Sequence, residues 1–221
     1  SVDLTAPESG FTLLNRASVG WSRSPLTVRA DVRGHRGRKK QWHYWCVMTP
    51  SIAVAFTLAS LDYVAVCGVH LMDLDARTVH QTGSLGPFGL GLSSPLPVHA
   101  AGPSDVSFSL GAHAMRFHTE AAAPHPHEHG ATATTNLRGA TATTTHITCD
   151  CLLDGLPFSA RLHVFTPPPS EHPSLNVVVP WSDHHFQYTS KQVGLPVEGE
   201  VQWGQRQFSF RMDDAWARAH A

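Results

Sequence analysis

The chain has 221 residues, of which 42% are hydrophobic, and its formal net charge at pH 7 is -1. A chain of this size and apolar content buries roughly 70% of the surface that its unfolded form exposes, which excludes an intrinsically disordered protein. The small net charge excludes a global field that would draw the chain to nucleic acid or to an anionic membrane, so such a partner would need a local patch.

Residues 1–40 are predicted to form an extended N-terminal segment that ends in a basic loop. The N-terminus has neither a basic start nor an apolar run, so it does not resemble a secretory signal and we expect a cytoplasmic location. Glycines separate the cations of the loop, which are Arg33, Arg36, Arg38, Lys39 and Lys40. Such a loop is either solvated or an anion clamp at a pocket mouth, which makes Arg38 a candidate ligand-binding residue. No basic face accompanies it, so nucleic acid is not an expected partner.

The run from Ile52 to Leu74 is long enough to cross a bilayer as a helix, but Asp62 lies at its middle. We therefore predict a β-hairpin rather than a membrane span. Both arms are apolar on both faces, as in central strands that are covered on each side. Asp62 is either a residue of the hairpin tip or a buried functional acid. Tyr63 beside it and Trp45, which precedes the apolar run, are candidate ligand contacts.

Short runs of alternating polar and apolar residues recur along the rest of the chain, for example at 106–110, 158–164 and 197–203. This period of two predicts strands, and the Gly, Pro and Asp residues between the runs predict antiparallel connections. The predicted fold class is therefore all-β, as an antiparallel barrel or a strongly curved sandwich. The β domain is expected to cover 41–195, followed by a hairpin at 196–221.

Metal ligands and disulfides receive little support from the sequence. The four cysteines are too sparse for a disulfide scaffold, so we expect reduced, mostly buried thiols. His125, His127 and His129 would face one side of an extended segment, as metal ligands can, but the prolines between them favour an exposed loop. Metal binding by this tract stays open, and no metal or other cofactor is predicted.

The densest polar and aromatic cluster lies between residues 181 and 191. If the segment were one strand, its alternation would place on one face the side chains of Asp183, His185, Gln187 and Lys191. Asp183 could then orient His185 for acid or base chemistry, with Trp181 and Tyr188 as ligand contacts. The alternative is a sheet edge whose polar groups only satisfy the backbone. The familiar hydrolase, zinc-protease and phosphate-loop motifs are absent.

Several motifs in fixed order resemble an uncharacterised bacterial family catalogued as domain of unknown function 2804. They are V-G-W-S-R-S-P-L at 19–26, R-K-K-Q-W-H-Y-W at 38–45, L-D-Y at 61–63 and S-L-N-V-V-V-P-W-S-D-H-H-F-Q-Y-T-S-K at 174–191. The family is distantly similar to lipocalin-like (calycin-type) proteins that include carotenoid hydratases and have two β-barrel halves. The resemblance implies that this chain is the first half of a two-barrel protein, with Val201, Trp203, Phe208 and Phe210 lacking packing partners.

Three functions are compatible with these observations. The first is a lipocalin-like protein that binds a small hydrophobic molecule between walls formed by Trp45, Trp181 and Tyr188, with Asp183, His185 and Lys191 at its polar end. The second is a hydratase or isomerase acting on an isoprenoid-like or polyketide-like compound, in which a buried Asp183 or Asp62 donates the proton. The third is a truncated fragment or an interaction module with an exposed sheet edge. We make no prediction of the oligomeric state.

Overall fold

The computed structural model describes residues 4, 13–24, 36–98, 102–122, 142–212 and 218–220, the last of these as backbone. The described residues contain a short 3-10 helix, Arg16–Ser18, and otherwise strands. The strands are β1 (Gly20–Ser22), β2 (Gln41–Met48), β3 (Ile52–Ser60), β4 (Val64–Asp73), β5 (Thr78–Pro87), β6 (Ser104–Leu110), β7 (His113–Ala121), β8 (Thr143–Leu153), β9 (Leu156–Thr166), β10 (Leu175–Pro180), β11 (Phe186–Lys191), β12 (Leu195–Trp203), β13 (Arg206–Phe210) and β14 (Arg218–His220). None of the described segments forms a helix with the length and apolar character that a membrane span requires.

The strands form two antiparallel sheets. The small sheet has the order β1-β10-β11, and the large sheet follows the path β5-β4-β3-β2-β14-β12-β9-β8-β7-β6, with β13 paired to β12. These pairings confirm the predicted all-β, antiparallel class. Within the described residues the path is open between β5 and β6, so the strands do not close into a barrel.

The large sheet folds over its own core as a sandwich. β3 and β9 are well separated along the path, yet the rings of Phe56 and Phe158 lie 6.4 Å apart, centroid to centroid. The rings of His80 on β5 and Trp203 on β12 are 4.3 Å apart. We call β2–β5 one half of the large sheet and β6–β9 with β12 and β13 the other half. One cluster of buried side chains includes residues of β2–β4 and of β6–β9, β12 and β13, so both halves share a single core.

The predicted hairpin within 52–74 is confirmed, because β3 and β4 pair from Ile52 with Asp73 to Ser60 with Ala65. Alternate residues of β3 enter the main core, while Ala53 and Ala55 on its other face are buried by the neighbouring side chains of Met48 and Met72. β3 is therefore covered on both faces, as predicted. β4 is buried on one face only, since its outward residues are partly or fully exposed.

The outer faces of the two halves differ in polarity. Arg116, Asp150 and Arg161 project from the outer face of the β6–β9 half and form ion pairs there. The outer face of β2–β5 instead carries apolar, small and uncharged side chains, including a row in register across the strands: Trp42, Ala59, Val66 and Leu85. One face is thus a polar, solvated surface, and the other is an apolar surface.

The expectation that the residues after 195 lack packing partners is wrong. β12 pairs with β9 from Val197 with Val164 to Trp203 with Phe158. Val201, Trp203 and Phe210 are buried in the main core, and Phe208 packs against it. The local sequence shows the alternation of these strands, but their partner β9 is distant along the chain.

Asp73 joins the end of β4 to β13 across the sandwich. Its Oδ2 accepts a hydrogen bond from Arg206 Nη2 at 2.7 Å, and its Oδ1 accepts one from the Ala76 backbone N–H at 2.8 Å. The Ala76 bond and the Arg206 guanidinium lower the pKa of Asp73. The side chain is only 8% exposed, so the contact is less screened than a surface ion pair.

We expect Asp73→Asn to destabilise the protein at neutral pH and to have a smaller effect in acid. A carboxyl group with a lowered folded-state pKa stabilises the fold above its unfolded pKa, and the contribution is lost as the pH falls through the folded pKa. Urea unfolding at about pH 7 and about pH 3 measures this difference. Asp150→Asn is the control, because the Asp150–Arg161 pair is half exposed on the outer face and contributes little. Equal losses for Asp73→Asn at both pH values would contradict the expectation.

Candidate functional site

The prediction that residues 181–191 form one continuous strand face is wrong. β10 ends at Pro180 and β11 begins at Phe186, and the residues between them form a turn. Ser182 Oγ accepts hydrogen bonds from the backbone N–H groups of His184 and His185, which is a local contact that competes with strand pairing. Asp183 and His185 therefore lie in a hairpin turn, separate from the strand that carries the rest of the set.

The structure brings six of the predicted site residues to one end of the molecule. They are Arg38, Asp62, Tyr63, Trp181, Asp183 and His185. Arg38 Nη1 lies 3.5 Å from His185 Nε2, and the backbone N–H of Trp181 donates to the carbonyl of His185 at 2.8 Å. The N–H of Gly37, beside Arg38, donates to Asp62 Oδ2.

Neither predicted proton donor is buried. Asp62 lies at the tip of the β3–β4 hairpin with a φ of 76°, which agrees with the turn interpretation. Asp183 is 56% exposed and pairs with Arg16 at 2.6 Å. Burial is what would hold a carboxylic acid neutral at working pH, so the hydratase alternative finds no support in the position of either residue.

The remaining polar residues of the cluster lie on β11 in the small sheet. Tyr188 donates from its hydroxyl to Asn176 Oδ1 at 3.3 Å and packs against a small cluster that contains Leu4, Leu14 and Val178. Gln187 Nε2 donates to Thr189 Oγ1 at 3.0 Å. Lys191 ends the strand and is exposed. Trp45 is the one predicted wall residue in the main core, so the structure does not bring Trp45, Trp181 and Tyr188 together.

Trp45 contacts His43, a residue that was not predicted from the sequence as part of a site. Alternation along β2 directs Gln41, His43 and Trp45 inward. Trp45 Nε1 donates a hydrogen bond to His43 Nε2 at 3.1 Å, and the His43 ring contacts Phe117 of β7 edge to face at a centroid distance of 5.0 Å. Burial lowers the pKa of His43 to about 4, so the imidazole is neutral at pH 7.

The Trp45 hydrogen bond fixes the tautomer of His43. Since Nε2 accepts, the proton of the neutral ring must be on Nδ1. The Nδ1 atom is buried, and it has no hydrogen-bond partner among the residues that the structure describes. A buried donor without a partner is uncommon, because leaving it unpaired costs about 1–3 kcal/mol. The position is therefore suited to an acceptor atom supplied by a bound molecule.

Other buried or partly buried polar groups lie at this end of the interior. Thr119, two residues beyond Phe117 on the same face of β7, shares a hydrogen bond of 2.9 Å with Thr145 of β8. Gln41 Nε2 donates to the carbonyls of Leu96 and Pro97 at 3.3 and 2.7 Å. We call Gln41, His43, Thr119 and Thr145 the inner polar group. They give an otherwise apolar core a few polar contacts at one end, which is the usual composition of a small-molecule site.

Two open depressions lie on the described surface. One, of about 360 Å³, is lined by 95–98 and 102–105, and Gln41 bonds to the carbonyls of two of its residues. The other, of about 420 Å³, is lined by residues of β8, β9 and β12 and by Ala112. Only the first adjoins the inner polar group. Its volume is at the lower end of the range for small-molecule pockets.

The remaining predicted features are the possible metal ligands and the cysteines. Among the residues with described positions, no three His, Cys, Asp or Glu side chains are arranged to hold a metal ion. The tract with His125, His127 and His129 lies outside the described residues. The four cysteines are free and buried, as expected.

A signal for His43 was present in the sequence. In the segment W-H-Y-W, His43 and Trp45 are two residues apart, so an extended backbone would place both on one face. What the sequence did not show is that this face is the inner one, because that depends on packing against distant strands, including Phe117 of β7.

Residues 9–219 match the family model described as a domain of unknown function, DUF2804. No curated protein and no solved structure matches the chain.

Proposed function

Since the chain belongs to the family of domain of unknown function 2804, whose description assigns no activity, we propose a function from the inner polar group. The protein binds a small, largely apolar molecule that carries one hydrogen-bond acceptor, such as a carbonyl oxygen. The acceptor receives the His43 Nδ1 proton, and the apolar body packs against Trp45 and Phe117. The ligand enters through the depression lined by 95–98 and 102–105.

The observation that carries the proposal is the unpartnered Nδ1–H of His43. Its direction is fixed, because Trp45 holds the opposite nitrogen and Phe117 packs on the ring. A donor that is already oriented and desolvated favours a ligand with an acceptor over an apolar analogue of the same shape.

Calorimetric titration with a matched pair of probes tests the proposal. Methyl 2-naphthyl ketone carries the acceptor, and 2-ethylnaphthalene has a similar shape without it. We expect the ketone to bind about tenfold more tightly than the hydrocarbon, which is the effect of one hydrogen bond of about 1.4 kcal/mol. His43→Phe keeps a ring beside Phe117 but removes the donor, so it should abolish the preference.

His70→Phe is the matched control, because it makes the same replacement on the exposed outer face of β4. This variant should keep the wild-type preference for the ketone. The proposal is overturned if neither probe binds to the wild-type protein, or if the ketone and the hydrocarbon bind equally well. Unfolding curves of each variant show whether the fold is retained.

A further inference from the structure

An exposed apolar tip projects at the end of the molecule where β3, β4 and β5 meet. We define the apolar tip as Tyr63, Leu85, Phe88 and Leu90, each of which is more than half exposed. Phe88 is 93% exposed, so almost all of its ring faces solvent. Large apolar side chains that are exposed together mark an interaction surface more often than a single exposed residue does.

The backbone holds this tip in place. The N–H of Phe88 donates to the carbonyl of Tyr63 at 2.8 Å, and the N–H of Leu90 donates to that of Pro87 at 3.1 Å. Gly86 allows the tight turn, since a Cβ atom at that position would lie 1.6 Å from the Leu90 carbonyl oxygen. Phe88 itself has a φ of 56°, which is costly for a residue with a bulky side chain. The phenyl ring is therefore presented on a fixed turn.

A group of cations lies next to the apolar tip. The basic turn consists of Arg36, Arg38, Lys39 and Lys40, all of them exposed. Asp62, the neighbour of Tyr63, accepts a hydrogen bond from the Gly37 N–H, which joins the basic turn to the β3–β4 tip. Four cations thus stand beside one carboxylate in these two turns, although the whole chain has a net charge of -1.

The apolar character continues from the tip onto the outer face of β2–β5. Trp42, two residues after the end of the basic turn, is half exposed and lies in one cross-strand row with Leu85. Tryptophan and tyrosine are the side chains that favour the boundary between water and hydrocarbon. Here Tyr63 belongs to the apolar tip, and Trp42 lies in the same cross-strand row as Leu85 of the tip.

We propose that the apolar tip and the basic turn bind the surface of an anionic phospholipid bilayer. Phe88 and Leu90 enter the interface between headgroups and acyl chains, while the cations of the basic turn contact the lipid phosphates and carboxylates. A convex tip fits a fluid bilayer, which closes around it, whereas a protein partner would need a matching hollow. The proposal is independent of the proposed ligand site, because it uses none of the inner polar group.

Co-sedimentation of the full chain with vesicles tests this proposal. One set of vesicles contains phosphatidylcholine alone, and the other contains phosphatidylcholine with phosphatidylserine. We expect the wild-type protein to partition at least about tenfold more strongly onto the anionic vesicles, and added salt to reduce the difference. Phe88→Ser with Leu90→Ser should reduce partitioning about tenfold. Lys39→Glu with Lys40→Glu should reduce it to the level seen with neutral vesicles.

Two control variants make the same kinds of substitution, Leu→Ser and Lys→Glu, outside the apolar tip and the basic turn. Leu152→Ser with Leu156→Ser removes two leucines that are also about half exposed, in the β8–β9 hairpin. Lys191→Glu reverses a lysine at the end of β11. Both should partition like the wild-type protein.

Three outcomes would overturn the proposal. They are failure of the wild-type protein to sediment with anionic vesicles, equal losses in the control variants, and full competition by soluble glycerophosphoserine, which would indicate a site for a free phosphate group. Circular dichroism of each variant separates a loss of binding from a loss of fold. Failure of this test leaves the preference of His43 for a ketone unaffected, so the two proposals are distinguishable.

Discussion

Lowering the pH from about 6.5 to about 4 is expected to reduce the free energy of unfolding by about 3 kcal/mol through His43 alone. Each unit by which the folded-state pKa lies below the unfolded one contributes about 1.4 kcal/mol. Burial lowers the pKa of His43 from 6.5 to about 4. Within that interval the unfolded chain binds a proton that the folded protein excludes. The free energy of unfolding therefore decreases as the pH falls, and the decrease ends below the folded-state pKa.

The Trp45 contact gives this effect a structural cause in addition to burial. Protonation places a hydrogen on His43 Nε2, where the Nε1–H of Trp45 already donates. Two donors would then face each other at a nitrogen that can no longer accept. The imidazolium would also lie against the Phe117 ring in a region that lacks a described anionic partner.

Urea unfolding at intervals between about pH 7 and about pH 5 measures the effect before most carboxyl groups titrate. His43→Phe should flatten the dependence by about 2 kcal/mol over this interval, while the exposed-site control His70→Phe should retain the wild-type slope. If the wild-type protein and His43→Phe lose stability in parallel, His43 is not the buried neutral group that the structure indicates.

Much of the fold could be predicted because strand alternation is a local property. The hairpin around Asp62 follows from an apolar run with a charge at its middle, and β6 and β9 follow from their period of two. The pairing partners of the strands were harder to predict from the sequence. β14 pairs with both β2 and β12, and no local pattern in the sequence specifies that placement.

The candidate site was predicted less well than the fold, for two physical reasons. The turn at 181–185 is continuous in sequence with β11 and was interpreted with it as one strand, but the Ser182 side chain bonds to the backbone and holds a turn there. The inner polar group depends on which face of β2 is buried, and that is set by packing against distant strands, including Phe117 of β7. Residue type alone favoured the Asp183 cluster, whereas His43 is one of the residues with a buried, unpartnered side-chain nitrogen.

The two proposals concern neighbouring parts of the chain. Lys40 ends the basic turn, and the next residue, Gln41, begins the inward row that contains His43. An apolar ligand is concentrated in membranes rather than in water. A bilayer contact beside the inner polar group would therefore place the binding site next to the phase from which such a ligand is taken.

Gly199→Ala is expected to destabilise the protein by about 4 kcal/mol, from backbone strain together with a clash in a packed sheet. Gly199 lies in the middle of β12, paired with Leu162 on one side and with Phe210 on the other. Its φ is +124°, and an added Cβ would lie 2.1 Å from the Arg161 carbonyl oxygen. The methyl group can be accommodated only if β12 and β9 separate, which would disturb the centre of the large sheet.

Gly20→Ala is the matched control for this substitution. Gly20 has nearly the same φ, +127°, but a Cβ atom there has nothing within 4 Å. The control therefore measures the backbone strain alone, about 1–2 kcal/mol, and urea unfolding of both variants isolates the clash as the difference. Equal losses for the two variants would mean that β12 moves away from β9 at little cost. The single core shared by the two halves would then be less tightly packed than the contacts of Val201 and Trp203 indicate.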